Sequence, residues 1–460
     1  MEQQTTSTIN YGIDEQLQLR YSHWKKNTKL LYDYLNTNTS KWPSLTCQFF
    51  PDLDISSDTH RLLLSSFTSG QLPEDEALYI ASLSTLKHLN WSSLNNFDMD
   101  ELEFKSDNSI KFPPKHLTTN LTIKFPLGDC NRARYMPQNP DVIAAASSNG
   151  DIYIFDRTKH GSRRIRKSVY DEKRSSETPE SDINDGLDAT YEAKFNDQIN
   201  NNQNNRNFET TSIDIDEMDY IKTENENEAL SVAWNLQKEG TLVAAYSQGS
   251  IKVWDLKKFN QNDKNICKAE WSITQFDSNG CNDANWMPSH DSIFAASGES
   301  KDSLVLFDTR TQKETSRIRS KFHNSGINAC KFNYGNSMLL ASADTDGIVN
   351  LWDIRKLNDK PLMSLNHDSS ISVIEWNPHE HSVLATAGQQ DGLIKLWDIS
   401  QDNAMTNEGI TKQLIFIHAG HMLGVNDISW DLHDPWLISS VSNDNSIHIW
   451  KPASNIVNPA

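Results

Sequence analysis

Histidine, hydroxyl, carboxylate and indole recur at a fixed spacing in this 460-residue chain. His323, Ser342, Asp346 and Trp352 form one set, and His421, Ser440, Asp444 and Trp450 form another with the same intervals. Such groups can do acid–base or metal chemistry. Their return at equivalent places in successive units argues instead for a buried hydrogen-bond chain, His through Ser and Asp to the indole, in which each polar group has a partner. A third set, His367, Asp391 and Trp397, has Ala387 where the serine would stand, so its chain is expected to be broken or water-filled. His379-Glu380-His381 has metal-binding residue types, but adjacent residues on a turn point in different directions, and a solvated loop accounts for them. Cys47, Cys130, Cys267, Cys281 and Cys330 are scattered, odd in number and never paired as CxxC, which fits reduced thiols rather than a disulfide framework or a zinc site. The sequence holds no GxxxxGK[ST] phosphate loop, no GxGxxG after a strand and no GxSxG elbow. No catalytic residue, metal or cofactor is expected, and the chain reads as a scaffold rather than an enzyme.

The elements that carry these sets are short strands. Five end in an aromatic-Asp pair: IYIFD (152–156), IKVWD (251–255), LVLFD (304–308), VNLWD (349–353) and IKLWD (394–398); a sixth, IHIWK (447–451), has Lys451 in place of Asp. From Trp254 the closing aromatics step by 53, 45, 45 and 53 residues through Phe307, Trp352, Trp397 and Trp450. A WD-type propeller blade repeats every ~40–45 residues, and the longer steps leave room for loops. Each unit also holds a small-residue strand (VIAAASS, LVAAYS, IFAASG, LLASAD, VLATAG, LISSVS) and, before it, a strand ending in an aromatic (NRARYMP, LSVAWNL, NDANWMP, NACKFNY, SVIEWNP, NDISWDL). These make six blades. RLLLSSFTSG (61–70) and EALYIASL (76–83) supply a seventh without the signature. The fold class is all-β: a seven-bladed WD-repeat β-propeller spanning 42–460. An open ring would leave an exposed strand edge, and WPSLTCQFF (42–50) is the expected closing strand, pairing with the last blade. Ahead of it, Leu17, Tyr21, Trp24, Thr28, Leu31 and Leu35 form a helical stripe over 13–36 with Asp14 as N-cap, so 13–41 is assigned to an N-terminal helix and linker after a disordered tail, 1–12.

The net charge of −19 is unevenly distributed. Residues 171–228 contain 17 acidic and 5 basic residues, and seven Asn fall within 196–207. By composition 160–227 is a disordered acidic insertion. It takes −12 of the charge and leaves the folded remainder only mildly acidic. RRIRK (163–167) reads either as a nuclear-import or nucleic-acid patch or as a solvated loop edge. The acidic balance excludes non-specific DNA binding by the whole surface and favours basic partners such as histones. The N-terminus lacks a signal-peptide profile and no apolar run is long enough for a membrane span, so a soluble intracellular protein is expected.

Longer motifs carry a resemblance. YSHWKKNTKLLYDYLNTNTSKWPSLTCQFF (21–50), NRARYMPQNPD (131–141), FDRTKHGS (155–162) and LIFIHAGH (414–421) resemble the retinoblastoma-binding histone-chaperone family of WD-repeat proteins, and within it the fungal small subunits of chromatin assembly factor 1. The resemblance implies a histone H3–H4-binding subunit of a hetero-oligomer with the larger subunits of that factor, acting in replication- and repair-coupled nucleosome assembly in the nucleus, with some protein in the cytoplasm. A type B histone acetyltransferase or a deacetylase complex is the alternative home. No sequence-specific nucleic acid and no membrane are implied as partners. The family's groove for a histone H4 helix maps onto Leu31, Leu35, Phe416, Ile417 and Ile456, with Asp402 and Glu408 as the rim acids; the usual acidic, proline-containing segment before LIFIHAGH is thinned here to SQDNAMTNEGITKQ (400–413). The family's channel mouth for a basic histone tail maps onto Asp129, Asn131, Glu228 and Asn328, while other ring positions read Asn282, Ser370 and Asn443 and carry no charge.

Overall fold

The computed structural model describes residues 15–54, 59–85, 97–98, 103–104, 116–160, 220–222, 227–258, 267–318, 322–356, 360–401 and 411–457. The tail 1–12, the Asp14 cap, most of the acidic insertion with RRIRK, and the rim acids Asp402 and Glu408 lie outside the described residues. Among the described residues, seven four-stranded antiparallel sheets form the propeller. Their inner strands are Cys47–Asp54, Cys130–Met136, Ala229–Trp234, Cys281–Trp286, Ile327–Phe332, Ile371–Trp376 and Val425–Trp430, which define blades 1 to 7. The second strands are the small-residue runs. Ala144, Ala145, Ala244, Ala245, Ala295 and Ala296 are fully buried, and their size lets neighbouring sheets pack face to face.

The inner strands are stitched to one another at both ends. At their C-terminal ends, indole N–H groups donate to a carbonyl of the preceding blade: Trp234 to Arg134 (2.8 Å), Trp286 to Ala233 (3.1 Å), Trp376 to Lys331 (3.2 Å) and Trp430 to Glu375 (3.3 Å). At their N-terminal ends, amide side chains donate forward: Asn131 to Ala229 (2.9 Å), Asn282 to Ile327 (3.2 Å), Asn328 to Ile371 (2.8 Å) and Asn426 to Ser44 (3.0 Å). A buried indole N–H needs an acceptor, and the ring supplies one from the next sheet. This is why the inner strands end in tryptophan.

Closure differs from the sequence expectation. Residues 47–54 are the inner strand of blade 1, not the closing strand. The ring is closed by β1 (Tyr32–Thr39), which pairs antiparallel with Ser446–Pro452 as the outermost strand of blade 7, placing Leu35 opposite Trp450. The helix α1 (Glu15–Leu31) therefore stops five residues before the expected end. The run Tyr32-Asp33-Tyr34-Leu35 satisfies both a helical and an alternating pattern, and the free edge of blade 7 decides between them. Charge reinforces the closure. Arg132 and Arg134 of NRARYMP clamp the fully buried Asp427 of blade 7 (2.7 and 2.9 Å), which also accepts from Cys47 N–H (2.8 Å). His60 of blade 1 pairs with buried Asp431 of blade 7 at 2.7 Å. Burial raises the Asp427 carboxyl, but Arg134 and Arg132 outweigh it and hold the group below the ordinary range.

The periodic sets are structural hydrogen-bond chains, with two corrections. In blade 5, His323 Nε2 meets Ser342 Oγ (2.7 Å) and Trp352 Nε1 donates to the same hydroxyl (2.8 Å), but the acid on His323 Nδ1 is Asp344 (2.8 Å). Asp346 is exposed on the turn. In blade 6 the chain is intact, not broken. Thr386 bonds His367 Nδ1 (2.7 Å) and accepts from Trp397 Nε1 (2.9 Å). The hairpin linking Ala387 to Ile394 is one residue longer than that linking Ala343 to Val349, so the hydroxyl moves back one position to keep its place opposite the strand. Blade 7 matches expectation at Ser440, which bonds His421 Nε2 (2.8 Å) and Trp450 Nε1 (3.2 Å); Asp444 reaches His421 through Ser446. All five cysteines are free and buried. No helix among the described residues is long and apolar enough to cross a membrane.

Candidate partner-binding groove

The helix α1 lies against blades 6 and 7 and buries little of itself. Only Trp24 and Thr28 are buried, on one face at helical spacing, with Tyr21 and Leu31 half-buried on the same side. Arg20 fastens the N-terminal half through its guanidinium, donating to the carbonyls of His421 (2.7 Å) and Asp391. Trp24 enters a pocket of imidazoles. Its ring stacks parallel to His448 (6.0 Å, 3°) and meets His418 edge-on (5.7 Å, 79°).

A directed chain runs through this pocket. An indole N–H can only donate, so Trp24 Nε1 gives its proton to Tyr32 Oη (2.8 Å). The Tyr32 hydroxyl then donates to His418 Nδ1 (2.7 Å), which leaves His418 Nε2–H to donate to His448 Nδ1 (3.0 Å). The chain requires neutral imidazoles. Burial, then the neighbouring His448 and His421, holds His418 well below the usual range; burial and His421 do the same for His448. His421 is lowered by burial to about 4, although Asp444 pulls the other way. Donor nitrogens of His418, His421 and His448 fall within 4.8 Å of one another, a separation that admits a metal. Their orientation does not suit one. The His421 and His448 rings stack at 4.1 Å and 14°, so in-plane lone pairs run side by side rather than converge. This pocket left little trace in the sequence: only Trp24 on the apolar stripe and the two histidines of LIFIHAGH.

The residues assigned to the groove are brought together here, with different exposures. Leu35 (2% exposed) and Phe416 (5%) are core residues, not groove lining. Phe416 packs edge-on against Tyr32 (5.4 Å) and stacks with Trp450 (5.7 Å), because alternation along Leu414–His418 turns it inward. Its neighbour Ile417 turns outward and is 38% exposed. Leu31, Ile415 and Ile456 are half-buried around the same cluster. The C-terminal turn Ser454–Val457 lies against Leu414–His418 and is tied to the end of α1 by Ala453 N–H donating to Leu31 O (2.8 Å). The outcome is a shallow apolar strip whose walls are α1, the outer strand of blade 6 and the C-terminal turn. On α1 itself, His23, Lys26 and Lys29 face solvent, so this wall is basic.

At the channel mouth, the expected residues do surround the N-terminal ends of the inner strands, but most are engaged. Asn131 donates to Glu228 (2.9 Å) as well as to Ala229 O, and Asn328 accepts from Thr345 (3.3 Å) while donating to Ile371 O. Asp129 meets one acid that the sequence did not single out. Glu76 is buried, and burial pushes its carboxyl up to about 7, with Thr68 lowering it and Asp129 adding to the rise. Deeper in, the channel encloses about 910 Å³ lined by Arg132, Arg134, Asp283, Lys331 and Glu375. These pair among themselves and with Asp427: Lys331 with Glu375 at 3.0 Å, and Asp283 with Ser231 (2.6 Å) and Cys330 N–H (3.1 Å).

Comparison with known proteins fits this geometry. Residues 20–87, which run from α1 through the closing strand and blade 1, match the family profile for the histone-binding protein RBBP4 or its counterpart in the CAF1 complex. Residues 412–451 match the WD domain, G-beta repeat profile, and 264–402, all within the propeller, match one for the eukaryotic translation initiation factor eIF2A. The chain is 54% identical to "Histone-binding protein MSI1" of Saccharomyces cerevisiae, covering 97% of this chain and 96% of that one. It is 27% identical to "Histone acetyltransferase type B subunit 2" of Candida glabrata, over 99% of this chain and 92% of the other. With an N-terminal arm matched by the first profile and a full-length relative above half identity, the chain belongs to the retinoblastoma-binding, MSI-type family of WD-repeat histone-binding proteins.

Proposed function

We propose that this protein is a non-catalytic histone H3–H4-binding subunit of a complex of the chromatin assembly factor 1 type, acting in replication- and repair-coupled nucleosome assembly in the nucleus. The observation that carries the reading is the accessible apolar strip of Leu31, Ile415, Ile417 and Ile456, held by an arm that closes the ring. An amphipathic histone helix laid on that strip would bury its apolar face, each fully covered Leu or Ile contributing about 1.5–3 kcal/mol. Asp402 and Glu408 would meet its basic residues at the rim. The larger subunits of the factor are the expected constant partners. The test is Ile417→Asp, a substitution at an exposed site. Affinity of the purified protein for H3–H4 should fall at least about tenfold, since a buried carboxylate without a partner opposes the contact. An unchanged affinity overturns the groove.

The second reading, a histone-binding subunit of a type B histone acetyltransferase, is favoured by the relative of that name, which aligns over 99% of the chain. Affinity purification with mass spectrometry separates the two. Co-purification of an acetyltransferase without the chromatin-assembly subunits selects the second.

A further inference from the structure

We propose that Trp24 is the positioning residue of the groove: by wedging into the His418–His421–His448 pocket it docks α1, and only the docked arm completes the partner-binding strip. The proposal rests on the groove reading above and adds the device that holds one wall in place.

The grounds are the smallness of the α1 contact and where it is concentrated. A 17-residue helix of this polarity is marginal in isolation. It has to be held by tertiary contact, and Trp24 makes most of that contact: stacking on His448, edge contact with His418 and a hydrogen bond to Tyr32. Beyond Leu31 the chain is secured independently, because β1 pairs along Ser446–Pro452 from Tyr32 to Thr39. Loss of the wedge therefore frees α1 about the Leu31–Tyr32 junction while the ring stays closed. Leu31 and the helix wall move with it; Ile415 and Ile417 do not, since they belong to blade 6.

Gly420 offers a way to expel the indole without touching α1. A Cβ at this position would lie 2.6 Å from Trp24 Cζ2 and 2.8 Å from Cη2, far inside van der Waals contact. Those two atoms belong to the outer ring of the indole, which phenylalanine lacks. Trp24→Phe should therefore tolerate Gly420→Ala, and the double variant becomes a rescue.

The experiment uses the full chain with purified H3–H4, a tryptic time course reading cleavage at Lys25, Lys26 and Lys29, and thermal melts. Trp24→Ala and Gly420→Ala should each accelerate cleavage in α1, leave the propeller midpoint nearly unchanged, and weaken histone binding at least about tenfold, as follows if under a tenth of molecules hold the arm docked. Trp24→Phe should lose only about fivefold, the worth of one hydrogen bond, and adding Gly420→Ala to it should cost little more. Three results overturn the proposal: α1 cleaved no faster in Trp24→Ala, histone affinity unchanged once α1 is released, or Gly420→Ala as damaging in the Trp24→Phe background as in the wild-type protein. Failure of the groove itself would look different, because Ile417→Asp would then bind as wild type.

Discussion

The arm pocket and the channel mouth lie on one ring and use polar side chains in opposite ways. In the pocket, Trp24, Tyr32, His418 and His448 bond to one another without a formal charge, inside a shell of apolar residues. Their outward neighbours Leu31, Ile417 and Ile456 are left accessible. Around the channel the asparagines and ion pairs face the opening, yet they bind blade to blade, and Asp427 closes the ring against Arg132 and Arg134. The lesson is that polar residues converging on an opening are not by themselves a binding site. What counts is whether their partners already belong to the fold.

The largest test of this contrast is at Phe416. If it is core rather than groove, Phe416→Asp buries a carboxylate between Tyr32 and Trp450 and should destabilise the protein by about 5 kcal/mol, near the extreme for a single substitution. A urea melt resembling wild type would return Phe416 to the groove. Next comes Asp427→Asn, which leaves two arginines beside a neutral amide and should cost about 3–5 kcal/mol. Little loss of stability there would mean that the arginines of NRARYMP are available to a ligand. The smallest effect is in the pH profile, where the two regions should slope oppositely. His421 is lowered in the fold to about 4 against an ordinary 6.5, so its contribution is complete above 6.5 and is lost as pH falls toward 4. Glu76 is raised from 4.5 to about 7, so its contribution is complete below 4.5 and is lost as pH rises through 7. Denaturant melts across pH 4–8 should show His421→Gln flattening the acid limb and Glu76→Gln the neutral limb. A neutral limb that Glu76→Gln leaves unaltered breaks the assignment at the mouth.

Much of this architecture was legible from the residues. Six blades follow from the closing aromatics, and the seventh from two strand-like runs; the hydroxyl–indole links at Ser342 and Ser440 fell where their spacing put them. The groove was legible as a region but not residue by residue. Phe416 and Ile417 are adjacent, and no feature of LIFIHAGH says which one turns inward. Ala387 misled because counting back from Trp397 cannot see a hairpin one residue longer.

Sequence alone determined what local chemistry can determine: strand length, alternation, turn residues and the repeat, each set by neighbours a few positions away. Tertiary structure decided whatever depends on partners far along the chain. Residues 32–39 became the closing strand because blade 7 offered an open edge more than 400 residues later, and Asp427 acquired Arg134 from 293 residues away. Trp24 found its imidazoles the same way. A ring joins its two ends only when complete, so the contacts made at that seam are written in no single stretch of sequence.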